Sequence, residues 1–323
     1  MQCFHPITIK EWIDSSDGRK KQVKSVRYVP CGKCIGCLQM RRSQWTYRLC
    51  KEADYSDLSY FVTLTYDDDH LLNNMYQYKN VVFPIFSKRD CQLFFKKLRK
   101  RLDEFSYKTI KLSYLIVSEY GTTTFRPHYH AHLFFKNVAP DQERFIQQMI
   151  VQSWDCSTND PCIMASNQAN IHYVTKYALK DISGVFSGIK YERIDGKYIG
   201  FSKEANTYLE RPFMMCSTRP YIGSSMEDDL EQHISQNGAN CIGVYLNGSS
   251  MPLPRVFRRK CGIQGKSIDS SGDFRINKKK YDFYKRLYDR LSIKEPFEQW
   301  LDFKIKQKEQ RALDIAVRNS EKV

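Results

Sequence analysis

The sequence predicts an α+β fold: an antiparallel sheet with flanking helices, an N-terminal cysteine-rich segment and a helical C-terminal region. Three patterns point there. Runs rich in Val, Ile, Thr, Tyr and Phe have the composition of strands and are mixed with amphipathic helical runs. Two of the strand runs, "IKLSYLIVSEYG" and "RPHYHAHLFFKNV", flank a short polar loop, as hairpin partners do. The regular strand–helix–strand alternation of a parallel sheet does not occur.

The elements follow in order. In "LQMRRSQWTYRLCKEA", Leu38, Trp45, Leu49 and Ala53 fall near helical spacing with arginines between them. "SYFVTLTYDDDH" reads as a strand that stops at its aspartates, and a polar Tyr- and Asn-rich loop is expected after it. "SKRDCQLFFKKLRKRLDEF" reads as a helix. Ser87 and Asp90 form a capping-box pattern, Phe94, Phe95, Leu98, Leu102 and Phe105 make one apolar stripe, and "KKLRKR" supplies a basic face. After the two hairpin strands, "DQERFIQQMIVQSW" is a second amphipathic helix and "NIHYVTKYALKDISG" a shorter one closed by Gly184. Beyond about residue 185 the signals weaken until a basic, aromatic, helical end interrupted near Pro296. We divide the chain into 1–54, 55–185 and 186–323 on this basis.

Composition narrows the partners. The 323 residues are 41% hydrophobic and 27% charged, as in a globular protein, and no apolar run reaches the ~18 residues a spanning helix needs. The first twenty residues lack a signal peptide's apolar core, so an intracellular protein is expected. A net charge of +15 points to a polyanion, because lysines and arginines gain affinity by releasing counterions from phosphates. With 21 Tyr and 19 Phe, some rings are available to stack on unpaired bases, although most will be core.

Candidate chemistry starts at "RPHYHAHLFF", where three of the seven histidines alternate. On a strand His128, His130 and His132 share one face, with successive members ~6.6 Å apart. Two such imidazoles can converge on one metal ion, and Glu119 on the preceding strand can be brought alongside by the hairpin. His132 is the rival third ligand. The plain alternative is a polar strand face with local hydrogen bonds.

In "YVTKYALK", Tyr173 and Tyr177 lie one helical turn apart, ~6 Å of rise, and Lys176 and Lys180 each follow a tyrosine by three positions. A phenol of pKa ~10 is a weak nucleophile at neutral pH. A neighbouring ammonium favours its phenolate, and a metal polarising a phosphodiester supplies the rest. The alternative is an aromatic stripe in the core with lysines at its rim.

Cys31, Cys34 and Cys37 have knuckle spacing, and Cys3 completes a candidate tetrahedral set for structural zinc. An iron–sulfur cluster and unliganded thiols are the alternatives. "CGIQGKS" at 261–267 ends like a phosphate-binding loop, but Lys260 stands where that motif requires glycine.

Taken together and in order, "VPCGKCIGC", "FVTLTYDD", "SEYG", "RPHYHA" and "YVTKYALK" resemble the replication initiators of microviruses, the gokushovirus type, within the HUH endonuclease superfamily. The resemblance covers roughly residues 1–185. It implies a ferredoxin- or RRM-like palm with a five-stranded antiparallel sheet. It makes His128, His130 and Glu119 the ligands of magnesium or manganese, although such a donor set also suits zinc or iron. Tyr173 and Tyr177 become two nucleophiles that nick and rejoin circular viral DNA through a 5′-phosphotyrosine. The implied partners are single-stranded and supercoiled origin DNA with a host helicase and polymerase, in the bacterial cytoplasm. His132 departs from the pattern, since an aliphatic residue is usual there. A plasmid relaxase, an HUH transposase and a non-catalytic zinc-stabilised nucleic-acid-binding protein are the rival readings.

Overall fold

The computed structural model describes residues 3–14, 21–106, 109–180, 188–227, 229–230, 232, 243–246, 249–254, 256–257, 278–291 and 295–321. Within these, side chains are described except at 10–14, 21–28, 177–180, 243–246, 249–252, 278–280 and 316–321. The chain forms two compact units, one of Met1–Arg41 with Arg258–Val323 and the other of Arg42–Phe257.

In the first unit, β1 (Ile7–Asp14) and β2 (Lys21–Val29) pair antiparallel. This hairpin was not legible in the sequence. The cysteine segment then leads into α1 (Ile35–Asp54), whose later residues belong to the second unit. At the other end of the chain stand the helices we label α6 (Lys278–Arg290) and α7 (Phe297–Glu321). Pro296 precedes the first residue of α7, where the missing N–H and fixed φ of proline suit a helix start. The two helices join through rings: Tyr281 and Tyr288 pack on Phe297, and Tyr284 packs on Trp300.

The second unit is built on five strands: β3 (Leu58–Thr65), β6 (Lys111–Tyr120), β7 (Pro127–Lys136), β8 (Cys162–Ala165) and β12 (Met214–Cys216). All the pairings are antiparallel, in the order β12-β6-β7-β3-β8. The predicted fold class and the expected five strands are therefore present. The edge strand β12 lies in the region of weak sequence signal, because three residues are too few to show alternation.

Burial on both faces marks β7 as the central strand. Tyr129, Ala131, Leu133 and Phe135 point to one side and join the core formed with α3 (Lys88–Ser106) and α4 (Glu143–Ser153). The predicted α3 stripe is there, with Phe94, Phe95, Leu98 and Leu102 each no more than 1% exposed. Each such side chain contributes roughly 1.5–3 kcal/mol by leaving water. Of the capping box, half forms: the Asp90 N–H donates to Ser87 Oγ, while the Asp90 carboxylate accepts from Tyr66 Oη and Asn74 Nδ2.

On the opposite face, Phe61, Leu115, Val117 and Phe134 meet Leu49 of α1 and Ile171 and Val174 of α5 (Gln168–Lys180). Two contacts lock these helices together: Thr46 and Thr175 hydroxyls lie 3.0 Å apart, and Arg42 donates to the His172 carbonyl at 3.4 Å. Glu52 of α1 is 1% exposed and yet well partnered. It accepts from Ser113 of β6 at 2.7 Å, pairs with Lys136 of β7 at 2.9 Å and accepts the Gly223 N–H at 2.5 Å.

The expected Tyr- and Asn-rich loop is a correction. It holds a short helix, α2 (Asp68–Leu72), and a hairpin of β4 (Met75–Tyr78) and β5 (Val81–Pro84) turning at Lys79-Asn80. Tyr76, Phe83 and Ile85 from it pack on Ile194, Ile199 and Tyr208 of a small sheet of β9 (Glu192–Ile194), β10 (Lys197–Ser202) and β11 (Thr207–Glu210). A further hairpin, β13 (Gly243–Leu246) with β14 (Ser249–Pro252), follows. The predicted helix stop at Gly184 and the segment 260–267 lie outside the described residues. Among the described residues, no helix is long and apolar enough to cross a membrane.

Candidate metal centre

Sheet register assembles the centre. Glu119 of β6 stands directly opposite His128 of β7, and Thr63 of β3 directly opposite His130. The three side chains Glu119, His128 and His130 therefore rise from one face at adjacent positions, and one ligand atom from each falls within 4.8 Å of the others. Glu119 Oε2 lies 3.4 Å from His130 Nε2 and 3.8 Å from His128 Nε2. An ion held ~2.1 Å from each donor needs them ~3.0–3.4 Å apart, so little adjustment is required.

The other ring nitrogens are occupied. His128 Nδ1 donates to the Arg126 carbonyl at 3.3 Å, which leaves the lone pair on Nε2. His130 Nδ1 meets the Thr63 hydroxyl at 3.1 Å, and its ring stacks on Phe61 with centroids 5.2 Å apart. His130 Nε2 is buried with no hydrogen-bond partner, a state that costs about 1–3 kcal/mol for a polar atom. A divalent cation at this point satisfies that atom, so the residues present fit one. Burial, then the neighbouring His130, push the His128 imidazole below its ordinary pKa against the opposing pull of Glu119. Both effects favour the neutral, metal-binding form.

His132 is placed elsewhere in this chemistry. Its ring is wholly buried, Nδ1 lies 2.9 Å from Ser166 Oγ, and Nε2 donates to the Asn170 carbonyl at 3.2 Å. Both nitrogens are used, and burial pushes its pKa down to about 4. It ties β7 to the start of α5.

From α5, the Tyr173 hydroxyl donates to Glu119 Oε2 at 3.4 Å, and its ring meets His130 edge-on at 5.2 Å. Lys176 is half-buried on the same helix. Tyr177 and Lys180 occupy the expected helical positions, one turn beyond, while their side chains lie outside the described residues. Sequence reasoning missed Phe61 and Thr63. Their alternation in "FVTLT" was visible, but only the strand order shows which histidine they face.

In the first unit, Cys3, Cys31, Cys34 and Cys37 bring their sulfurs within 4.8 Å of one another. Cys31 Sγ lies 3.9 Å from Cys37 Sγ, and Cys34 Sγ 3.8 Å from Cys3 Sγ. Four thiolates ~2.3 Å from a tetrahedral zinc stand ~3.8 Å apart. Gly32, at φ +74°, makes the turn that lets the Lys33 and Cys34 N–H groups donate to Cys31 Sγ. Although burial opposes it, these bonds bring the Cys31 thiol down to about 7.

The sequence matches the family described as replication-associated protein ORF2 over residues 59–182. It is 38% identical over 132 residues to replication-associated protein ORF2 of Spiroplasma virus 4, covering 40% of this chain and 39% of that protein. It is 26% identical over 277 residues to replication-associated protein VP4 of Bdellovibrio phage phiMH2K, covering 80% and 76%. A third relative, replication-associated protein ORF4 of Chlamydia phage 1, is 28% identical over 173 residues, covering 49% and 40%. The chain thus spans about two fifths of the Spiroplasma and Chlamydia phage relatives and three quarters of the Bdellovibrio one. The N-terminal nuclease domain of minute virus of mice non-structural protein-1 aligns over 59% of this chain and 83% of its own at 8% identity, with a TM-score of 0.21 that is too low to bear on fold or site. The segment 59–182, which holds Glu119, both imidazoles and the tyrosine helix, is a replication-associated protein region of the ORF2 family, of the kind these phage proteins carry.

Proposed function

We propose that the chain is a replication initiator that nicks the origin of a circular viral DNA through a tyrosine and rejoins the strand after rolling-circle synthesis. The observation that carries this is the meeting of Glu119, His128 and His130 donor atoms with the Tyr173 phenol, 3.4 Å from Glu119, on one sheet face. We assign magnesium or manganese to that donor set, where the ion supplies charge neutralisation at a scissile phosphate. Glu119, His128 and His130 hold it, and Thr63 and the Arg126 carbonyl orient the imidazoles.

In the proposed reaction, the Tyr173 oxygen attacks phosphorus and the bond from phosphorus to the 3′ oxygen breaks. The phenol gives up its proton and the departing oxygen gains one, leaving a 5′-phosphotyrosine and a 3′-hydroxyl. The bond energy is kept, so the 3′-hydroxyl formed at a second cleavage by Tyr177 can attack the first phosphotyrosine and close a circle. We assign Lys176 and Lys180 to the phenols and the phosphate charge. Residues 55–185, with β12 added at the sheet edge, form the nicking core in this reading. The 1–54 segment carries a structural zinc on Cys3, Cys31, Cys34 and Cys37, and 186–323 adds basic helices. A host helicase and polymerase, in the bacterial cytoplasm, are the partners this scheme requires.

The test is incubation with supercoiled DNA carrying the cognate origin and magnesium or manganese. A 5′-linked protein–DNA adduct, lost in the Tyr173→Phe/Tyr177→Phe double variant and in His130→Ala, is the expected result. Binding without nicking under every metal tried sinks the enzyme reading and favours a zinc-stabilised binding module.

A further inference from the structure

Six non-glycine residues among those described have positive φ, and four of them are Asn or Asp, whose short polar side chains tolerate the left-handed region. Lys79 is a fifth, and its ammonium lies 5.2 Å from the Tyr78 ring centroid in a tight hairpin turn. The sixth is Phe125, at φ 50°, in the loop joining β6 to β7. A bulky aromatic is strained there, whereas glycine adopts the same conformation freely. Among the described residues its ring, half-buried, enters none of the aromatic pairs that organise the rest of the unit.

The loop is firmly set. Phe125 N–H donates to the Gly121 carbonyl and Gly121 N–H to the Arg126 carbonyl, each at 3.0 Å. Arg126 is anchored on the Tyr66 carbonyl at 3.0 Å and on Asp68. The first strand pairs below this loop are Tyr120 with Pro127 and then Glu119 with His128. The strained ring therefore stands at the tip of the hairpin that carries the metal-binding donors, beside the exposed Thr122, Thr123 and Thr124.

We propose that Phe125 contacts substrate by stacking on a nucleobase of single-stranded DNA, seating the strand beside Glu119, His128 and His130. The ring then has a role that offsets its backbone strain, and the threonine hydroxyls can donate to the neighbouring phosphates. That the strand is the one nicked rests on the reading above; the base contact itself does not.

The test uses the full chain and a fluorescein-labelled single-stranded oligonucleotide of mixed sequence, in EDTA so that binding is read without cleavage. Phe125→Trp is expected to bind at least as well as the wild type. Phe125→Leu, which keeps an apolar side chain without a π face, and Phe125→Gly are expected to bind roughly 5- to 100-fold more weakly, the worth of one stacked base. Leu or Gly variants that bind within twofold of wild type overturn the proposal, as does a loss shared equally by the Trp variant. If wild type forms no adduct on origin DNA but the order Trp, Phe, Leu and Gly persists, the nicking reading fails and the base contact stands. An adduct accompanied by flat affinities refutes the contact alone.

Discussion

Replacing His132 and His130 in turn by alanine separates a structural imidazole from a metal-binding one. His132 is 0% exposed and makes hydrogen bonds at 2.9 and 3.2 Å. Each is worth about 1 kcal/mol net, and emptying a buried ring position adds a cavity cost of similar or greater size. His132→Ala should therefore lose about 3 kcal/mol. At about 2–4 °C per kcal/mol for a domain of this size, its melting temperature falls by roughly 6–12 °C. His130→Ala gives up the Thr63 bond and the Phe61 stack but also removes a buried unpaired nitrogen, so its melting temperature moves far less. The order inverts when manganese is added. A ligand that binds only the folded state raises stability by RT ln(1 + [L]/Kd), about 2.7 kcal/mol at a hundredfold excess over Kd. Manganese is a poor match for the N-terminal thiolates, so the increment reports on the imidazole site. Scanning calorimetry in EDTA and in millimolar manganese should show His132→Ala melting low but keeping the metal increment. His130→Ala should melt near wild type and lose it. A His132→Ala protein that melts like wild type in EDTA yet gains nothing from manganese would refute this division of roles.

Other outcomes are equally specific. Glu52→Ala strands the Lys136 ammonium and the Gly223 N–H in the interior and should cost about 3–5 kcal/mol in urea unfolding, whereas a loss under about 1 kcal/mol would mean the network is not coupled. Elemental analysis should find about one zinc per chain, and Cys34→Ser should release it and expose the N-terminal segment to protease; a metal-free wild type that resists protease equally removes the zinc assignment. The Tyr60 phenol is pushed up to about 12 by burial and by its bond to Glu143. A folded pKa above the unfolded one means a contribution that is complete below about pH 10 and lost as pH rises through about 12. Tyr60→Phe should therefore move the alkaline unfolding midpoint upward, and an unchanged midpoint would show that this phenol ionises without consequence.

How much of this was legible in sequence depends on the range of the signal. The α3 stripe and the β6–β7 hairpin were readable because each pattern is local and long, and burial of Phe94 through Leu102 follows directly from helical spacing. Short or irregular pieces were not: β12 is three residues long, and the β4–β5 hairpin turns at Lys79-Asn80 without the glycine that usually announces such a turn. The candidate site shows the same divide within a single strand. Alternation placed His128, His130 and His132 on one face, but alternation treats the three alike. What distinguishes them is the depth at which α5 crosses that face. At His132, Ser166 and Asn170 close over the ring and take both nitrogens, while at His130 the neighbours are Glu119 and the Tyr173 phenol, and one nitrogen is left over. That difference is made by residues some thirty to forty positions away in sequence, on an element whose packing depends on Thr46–Thr175 and Arg42–His172 contacts with a helix still farther off. Periodicity can therefore nominate a ligand face, but choosing among its members requires the register and the helix that covers it. A buried nitrogen without a partner, beside a carboxylate and a second imidazole, is the physical mark that makes the choice.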